Sequence, residues 1–281
     1  MNEKTVVVTG ANSGVGLATA TELARRGATV VMVCRSPERG EQALKEARQR
    51  SGSDKLELMR CDLGSLESIR TFAREFQARH SALDVLINNA GVITTKRETT
   101  RDGFESQLGV NHLGHFLLTN LLLEQLRRAP QGRIINVSSG AHKTGAIHWE
   151  DPHLTQGFGV WKAYSQSKLA NILFTKALAE RLRGTAITAN SLHPGAVGTS
   201  LGVDRQTGFG KPIMKFLGLF FLTPEQGAET SVYLAASDEV TSVSGEYFYK
   251  KKRAPVSKRA QDRELAERLW TWSEKQVGWA A

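Results

Sequence analysis

A tyrosine and a lysine four residues apart are the clearest catalytic candidates in this sequence. Tyr164 and Lys168 lie in a stretch of helical period, Trp161–Arg183, where a spacing of four puts two side chains on one face. A phenol has a pKa of about 10 and is therefore a poor acid or base at neutral pH. A neighbouring ammonium group stabilises the phenolate, so we expect Lys168 to lower the pKa of Tyr164 toward the working range of a general acid and base.

The same spacing occurs a second time, at Tyr247 and Lys251. Tyr247 lies in the strand-like run Glu246–Tyr249, and four residues of a strand extend about 13 Å, too far for the two side chains to interact. Tyr247 is therefore predicted to be a core or sheet residue, which leaves Tyr164 as the candidate.

A glycine-rich turn near the N-terminus has the pattern of a dinucleotide-binding loop. The predicted strand Val6–Thr9 runs into this turn, and the predicted helix Gly14–Arg26 follows it. Glycine permits a tight turn and a close backbone approach, while the helix N-terminus presents free N–H groups to a phosphate. The strand before the turn and the helix after it favour dinucleotide binding over a plain structural turn. The residues predicted to bind the dinucleotide here are Gly10, Asn12, Ser13, Gly14, Val15 and Gly16.

The residue that follows the second predicted strand bears on the choice of dinucleotide. An acidic residue at this place binds the ribose 2′-hydroxyl, whereas an arginine suits a 2′-phosphate. Here Arg35 follows the strand Thr29–Cys34 directly, and Arg39 comes one helical turn later. The alternative interpretation is a solvated surface arginine. The sequence favours NADP(H) over NAD(H).

Further polar residues stand at strand ends. The fourth predicted strand ends in Asn88–Gly91, and the fifth ends in Ser138 and Ser139. Successive side chains of a strand point to opposite faces, so only one of the two serines can serve a given site. Asn111 lies within the predicted helix Gly103–Arg128, where a satisfied polar core residue is the ordinary interpretation.

Composition places the chain among ordinary globular proteins. Of its 281 residues, 40% are hydrophobic and 23% are charged, which excludes disordered, collagenous and coiled-coil classes. The net charge is +9, but residues 250–281 contain nine basic and four acidic residues, so much of the excess is local and argues against a nucleic-acid-binding protein. Two cysteines, Cys34 and Cys61, cannot build a disulfide framework.

Strand-like residues begin at Lys4, which leaves no room for a signal peptide. The longest apolar stretch, Ile213–Leu222, contains Lys215 and falls short of the roughly 20 residues that a membrane span needs. We therefore expect a cytoplasmic protein with no integral membrane segment.

Short β-branched runs alternate with stretches of helical period along the whole chain. Unbroken apolar strands separated by helices indicate right-handed crossovers and a parallel sheet. We predict an α/β fold, in which residues 1–281 form a single doubly wound (Rossmann-type) domain with a parallel seven-stranded sheet and helices on both faces.

Two segments interrupt this alternation, Gly140–Val160 and residues 198–223. Long irregular segments in a compact domain are commonly functional loops. The second segment combines glycines with the apolar run Phe216–Leu222, and we predict it to be a substrate lid selecting bulky apolar carbonyl compounds. A membrane contact and an ordinary core segment are the alternatives.

The ordered set of motifs resembles the short-chain dehydrogenases/reductases, and most closely the branch of the retinol dehydrogenases and WW-domain oxidoreductases. The resemblance covers essentially the whole chain. The resemblance to the family rests on Thr9–Gly16, Asp62-Leu63, Asn88–Gly91, Asn111, Ser138-Ser139, Tyr164–Lys168 and Pro194-Gly195. The resemblance to that branch rests on Asn111–Thr119, Tyr164–Asn171, Thr223–Ala228 and Arg268–Trp270.

This resemblance implies a catalytic tetrad of Asn111, Ser139, Tyr164 and Lys168. Ser139 would orient the substrate oxygen and Tyr164 would transfer the proton. Lys168 would lower the tyrosine pKa and bind the nicotinamide ribose, and Asn111 would hold a water of the proton relay. The further cofactor-binding residues that it implies are Asp62, Leu63, Asn89, Ala90, Gly91, Pro194, Gly195, Val197 and Thr199.

The function expected on these grounds is NADP(H)-dependent interconversion of an apolar aldehyde or ketone and its alcohol, as in a carbonyl reductase or alcohol dehydrogenase. A nicotinamide-binding regulatory or scaffold protein is one alternative, and a protochlorophyllide-reductase-like enzyme is another. The intact tetrad argues against a pure sensor, which has no need of a tuned tyrosine.

The remaining patterns are assigned to structure. His112 and His115 lie three apart on a helix but have no carboxylate or cysteine beside them, so packing is favoured over a metal site. The run Lys250–Arg253 is interpreted as a solvated turn rather than a nucleic-acid patch. The predicted partner is a small apolar carbonyl or alcohol. Peripheral membrane contact stays open, as does a homodimer formed through Gly103–Arg128 and Trp161–Arg183.

Overall fold

The structure, a computed structural model, describes residues 1–196 and 222–279. The strands in these ranges are β1 (Thr5–Thr9), β2 (Thr29–Cys34), β3 (Leu56–Arg60), β4 (Val85–Asn88), β5 (Gly132–Val137), β6 (Ile187–His193), β7 (Tyr247–Tyr249) and β8 (Lys252–Arg253). They form one sheet in the order β3-β2-β1-β4-β5-β6-β7-β8. Apart from Leu222 and Thr223, the segment 198–223 that we predicted to be a lid lies outside the described residues.

The helices of the described ranges connect these strands. They are α1 (Gly14–Arg25), α2 (Pro37–Ser51), α3 (Leu66–Arg79), α4 (Ser106–Leu108), α5 (Gly114–Leu121), α6 (Leu123–Arg128), α7 (Val160–Arg181), α8 (Pro224–Ala236), α9 (Lys258–Gln261) and α10 (Arg263–Val277). Among them, none has both the length and the apolar character that crossing a membrane requires.

The central strands are apolar on both sides because helices cover both faces of the sheet. Strands β1 to β7 pair in parallel, as crossover connections require. One core lies between the sheet and α3, α5, α7 and α10, with Phe72, Phe76 and Phe116 fully buried in it. The other core lies against α1, α2 and α8. The predicted doubly wound α/β fold is confirmed.

The sheet has eight strands rather than the predicted seven. Strand β8 pairs antiparallel with β7, and Lys250 and Lys251 connect the two with φ angles of 50° and 62°. A two-residue hairpin requires such positive φ values, and Asn-Gly is the usual pair that supplies them. We predicted a solvated turn over Lys250–Arg253. The turn is found at Lys250 and Lys251, but Lys252 and Arg253 form β8, which two lysines without an Asn-Gly pattern did not indicate. Lys251 forms an exposed ion pair with Glu229.

The single helix predicted over Gly103–Arg128 is wrong. The structure replaces it with α4, a π-helical turn at Gly109–Leu113, α5 and α6. A Cβ atom added at Gly114 would lie 2.4 Å from the Leu63 carbonyl oxygen, so only glycine lets the helix approach the loop after β3 so closely. Single π-helical turns often mark functional sites, and this one contains Asn111.

The C-terminal helix α10 was not predicted, although Asp262 caps it by accepting a hydrogen bond from the Leu265 N–H group. It packs along α7, where the Trp270 ring lies 4.0 Å below the Arg181 guanidinium. Arg181 also forms a two-pronged ion pair with Glu267. Because α10 occupies this face of α7, a homodimer formed through the face would have to displace the helix. The homodimer stays a prediction.

We expect Trp270→Ala to destabilise the fold by about 3–5 kcal/mol, the usual cost of emptying a buried aromatic site. Trp270 is 5% exposed, and its ring contacts Phe116 and Phe174 at centroid distances of 4.9 and 5.8 Å. Urea unfolding measures the loss. The matched control is Trp161→Ala, because Trp161 is 59% exposed and should change stability by less than about 0.5 kcal/mol. Equal losses for the two variants would show that α10 does not complete the core.

Candidate active site

A cleft opens at the carboxyl ends of the strands where the strand order reverses between β1 and β4. Open α/β sheets bind ligands at such a reversal, because neighbouring connections leave it in opposite directions. The predicted residues that line this cleft are Gly10, Asn12, Ser13, Gly14, Val15, Gly16, Arg35, Asp62, Leu63, Asn89, Ala90, Gly91, Tyr164, Lys168 and Pro194. Val197 and Thr199 lie outside the described residues. Three predicted residues that are described, Asn111, Ser139 and Gly195, do not line the cleft, whereas Ser138 does.

The glycine turn has the shape of a phosphate cradle. Gly10 has a φ of 66°, and a Cβ atom there would lie 2.9 Å from the Ala90 Cα atom. At Gly16, a Cβ atom would lie 2.3 Å from the Gly10 carbonyl oxygen, so the first turn of α1 sits directly against the loop. These close approaches exclude other residue types at both positions.

The start of α1 leaves its amide donors available for a ligand. Ser13 is the N-cap residue, and within the described residues its side chain makes no capping hydrogen bond. By contrast, Ser36 caps α2 and Ser65 caps α3. Unsatisfied N–H groups at a helix N-terminus attract anions, so this end of the cleft fits the diphosphate of a dinucleotide.

The end of the cleft next to β2 is basic. Arg35 is exposed and lines the cleft together with Ser36 and Arg39. Cys34 and Cys61 form the neighbouring wall, and burial raises the pKa of each thiol to about 12, so both remain protonated. The amide donors at the start of α1 and the two arginines together fit a dinucleotide with a phosphate near β2.

The turn after β4 is fastened to the end of β1. The Thr9 hydroxyl accepts hydrogen bonds from the N–H groups of Asn89 and Ala90 at 2.9 and 3.0 Å, and the Asn89 side chain donates to the Thr9 carbonyl at 2.8 Å. Asn89, Ala90 and Gly91 therefore form one wall of the cleft opposite the glycine turn.

Tyr164 and Lys168 occupy the inner end of the cleft on α7. Lys168 is 4% exposed, and its Nζ atom donates to the Val137 carbonyl at 3.1 Å and lies 5.6 Å from the centre of the Tyr164 ring. Burial lowers the pKa of Lys168 to about 8. The predicted helical spacing thus brings the two groups together on one face.

The expected effect of Lys168 on Tyr164 is not what the structure shows. Burial raises the pKa of Tyr164, and the adjacent Ser139 side chain partly opposes this increase. Lys168 bonds to the Val137 carbonyl instead of the phenol oxygen, so it does not offset the desolvation of the tyrosine. The sequence showed the spacing of the pair but not how deeply α7 is buried.

The two serines at the end of β5 have separate tasks. Ser139 caps the 3₁₀ turn Gly140–Thr144, and its side chain lies close enough to Tyr164 to lower the pKa of the phenol. Ser138 is 2% exposed and donates to the Lys168 carbonyl at 2.7 Å, which anchors α7 to the strand. Of the two, Ser139 is the one in contact with the tyrosine.

Asn111 is fully buried, and its side chain bonds to protein on all sides. The amide accepts from the Val92 N–H group at 2.8 Å, and it donates to the Val92 carbonyl at 3.1 Å and to Ser167 at 3.0 Å. It therefore ties the turn after β4 to α7, next to the tyrosine. The relay water predicted for Asn111 stays a prediction.

Sequence reasoning missed Asn171, which shares an acceptor with Lys168. Its side chain donates to the Val137 carbonyl at 3.1 Å, so that one carbonyl receives both groups. The spacing of three residues from Lys168 on α7 is the pattern that could have indicated it. Tyr247, the rejected candidate, is 5% exposed in β7, and its ring meets His142 edge-on.

Comparison with known proteins agrees with this geometry. A family model described as short chain dehydrogenase matches residues 4–208. Retinol dehydrogenase 13 of Mus musculus is 46% identical, over 99% of this chain and 84% of its own length. Retinol dehydrogenase 14 of Homo sapiens is 47% identical, over 99% of this chain and 87% of its own. An uncharacterized protein from Mycobacterium paratuberculosis, known from its crystal structure, has a TM-score of 0.80 and 38% identity, with 99% of this chain and 94% of that chain covered.

The family match spans most of the chain, and the curated relatives match it over nearly its full length. The α/β fold is shared with the related crystal structure. The protein belongs to the short-chain dehydrogenase/reductase family and is an oxidoreductase.

Proposed function

We propose that this protein is an NADP(H)-dependent oxidoreductase that interconverts an apolar aldehyde or ketone and its alcohol, with Tyr164 as the general acid and base. The observation that carries the proposal is that Tyr164 and Lys168 line the inner end of a dinucleotide-shaped cleft, with the Ser139 side chain beside the tyrosine. When bound, the nicotinamide ring supplies or accepts the hydride.

The raised pKa of Tyr164 suits proton donation to a carbonyl oxygen. Because burial favours the neutral phenol, Tyr164 carries its proton at pH 7 and can give it to an oxygen that gains negative charge. The Ser139 hydroxyl lies beside the phenol and is suited to hold the same oxygen. These residues therefore orient the substrate and hold the proton at the reacting atom.

Lys168 is suited to restore the proton. Its pKa of about 8 lies close to physiological pH, so both protonation states are accessible to it. Burial is the cause of this shift, because the ammonium loses water and gains one carbonyl acceptor on Val137. A cavity-facing ammonium also supports a bound ribose hydroxyl, the role implied by the family resemblance.

The preference for NADP(H) rests on the basic end of the cleft. Arg35 directly follows β2, and Arg39 stands on the first turn of α2 beside it. A guanidinium group binds a phosphate through paired hydrogen bonds. The 2′-phosphate of NADPH offers such an acceptor, whereas NADH has a hydroxyl group at that position.

An apolar substrate is supported by the surroundings of Tyr164 and by the relatives. Trp161 is 59% exposed, one helical turn before Tyr164, and the two ring centres are 6.2 Å apart. The similar curated proteins are named retinol dehydrogenases, and retinol is a primary alcohol on a long apolar skeleton. We propose long or bulky apolar carbonyl compounds as the substrate class.

We expect Tyr164→Phe to lower kcat by about 10²- to 10⁴-fold, because the general acid is lost while the ring is kept. NADPH oxidation with a series of apolar aldehydes measures the change, and the dissociation constant of NADPH should stay near the wild-type value. Tyr247→Phe is the control, since this second tyrosine is buried in β7. Near-normal turnover of Tyr164→Phe would rule out the proposed acid.

We expect Arg35→Ala to weaken NADPH binding by roughly 10- to 100-fold, because a hydrogen bond to a charged group contributes about 1.5–3 kcal/mol. The affinity for NADH should change much less. Fluorescence titration with both cofactors measures this difference. Arg74→Ala, at an exposed position on α3 away from the cleft, is the control. Equal losses for NADPH and NADH would show that Arg35 supports the fold rather than the phosphate.

A further inference from the structure

A buried histidine connects two segments of the cleft, and the mechanism above does not use it. His115 lies on α5 and is 2% exposed. Its Nδ1 atom is 3.1 Å from the Asn111 carbonyl oxygen, and its Nε2 atom is 2.9 Å from Thr9 Oγ1. One imidazole ring therefore spans the π-helical turn on one side and the end of β1 on the other.

Only one tautomer of the neutral ring satisfies both contacts. A backbone carbonyl can only accept, so Nδ1 carries the hydrogen and donates to Asn111. Burial lowers the pKa of His115 to about 4, an effect to which Lys168 adds, so the ring is neutral at pH 7 and Nε2 is an acceptor. The Thr9 hydroxyl then donates to Nε2 at 2.9 Å rather than to the Ile87 carbonyl at 3.4 Å.

This tautomer fixes the direction of each hydrogen bond that the Thr9 hydroxyl makes. Its single hydroxyl hydrogen points to His115, which leaves its lone pairs free to accept from the N–H groups of Asn89 and Ala90. If the imidazole acceptor were absent, the hydroxyl hydrogen would turn toward the more distant Ile87 carbonyl. The two N–H contacts that hold the wall of the cleft would then lose their alignment.

The other end of the imidazole restrains the π-helical turn. The Asn111 side chain bonds to Val92 and Ser167. The Asn111 backbone carbonyl accepts from the ring of His115, which lies one helical turn further along the chain. The orientation of the Asn111 peptide is thereby set from both sides. His115 touches neither the Tyr164 hydroxyl nor the glycine turn itself, so its influence acts through Thr9 and Asn111.

We propose that His115 is a positioning residue whose two ring nitrogens set separate parts of the site: Nε2 fixes the cofactor-binding wall through Thr9, and Nδ1 fixes the Asn111 turn beside the tyrosine. The inference rests on the proposed function only in taking NADPH as the ligand of this cleft.

The chain offers a matched control three residues away. His112 is also buried and neutral, with a pKa lowered to about 3, but its Nε2 atom contacts Ser273 on α10 at 2.8 Å. Its ring packs on Phe116 and Phe174. Replacing His112 removes an equally buried imidazole that makes no hydrogen bond to Thr9 or to the Asn111 carbonyl.

The test uses His115→Asn, His115→Gln, His115→Phe and His112→Phe. The asparagine amide reaches the place of Nδ1, and the glutamine amide reaches that of Nε2. We expect His115→Asn to raise the NADPH dissociation constant about 5- to 20-fold, because the Thr9 contact is lost. We expect His115→Gln to bind NADPH within about 3-fold of wild type but to lower kcat by roughly 5- to 20-fold, because the Asn111 contact is lost. His115→Phe should show both defects.

Fluorescence titration gives the dissociation constants, steady-state assays with an apolar aldehyde give kcat and KM, and thermal unfolding with and without NADPH monitors folding. His112→Phe should lower Tm with unchanged NADPH affinity. Wild-type NADPH affinity in both folded His115→Asn and His115→Phe overturns the inference, and so does a uniform loss of Tm in all four variants with no change in affinity or kcat. A wild-type protein that binds neither NADPH nor NADH would instead refute the proposed function.

Discussion

The site depends on the burial of one ammonium group. Lys168 is 4% exposed, and a buried charge is costly unless acceptors surround it. The Val137 carbonyl at the end of β5 is its acceptor, and Ser138 binds the Lys168 backbone in return. These hydrogen bonds hold α7 against the end of β5 and thereby set the position of Tyr164. The same burial brings the pKa of Lys168 down to about 8, so one packing constraint provides both the geometry and the protonation behaviour of the site.

The polar residues around this lysine lie where the sheet can present them together. Asn88 on β4 stands beside Asn136 on β5, and the next residue in the same row is Ser191 on β6. Asn88 donates to Asn136 and to Thr119 on α5, and Asn136 donates to Thr175 on α7. A row of bonded polar side chains therefore links the strand ends to both helices. Buried polar groups that are paired in this way hold neighbouring elements in a unique arrangement.

The two faces of the sheet differ in which helices cover them. The face with α1, α2 and α8 is covered by helices that follow or precede neighbouring strands. The face with α5 and α7 also receives α10 from the far end of the chain, and Trp270 fills the space between them. This helix supports α7 from outside, while the Val137 and Ser138 contacts hold it from inside. The helix that carries Tyr164 is thus fixed on both sides.

The sequence by itself determined the features that depend on local spacing. The alternation of apolar strands and helices predicted the doubly wound sheet, the glycine turn predicted its crevice, and the four-residue interval placed Tyr164 and Lys168 on one face. Such patterns operate within one turn or one strand, where backbone geometry fixes which side chains meet.

Only the tertiary structure decided the features that depend on desolvation and on distant contacts. Burial raised the pKa of Tyr164, whereas the spacing alone suggested a decrease. The predicted continuous helix is broken by the π turn that carries Asn111, next to the place where Gly114 approaches the Leu63 carbonyl. His115 meets Thr9 across 106 positions of sequence, a separation that no local pattern reports. Local spacing determines which groups share a face, but water exclusion and long-range contacts determine their charge and their partners, and these exist only in the folded chain.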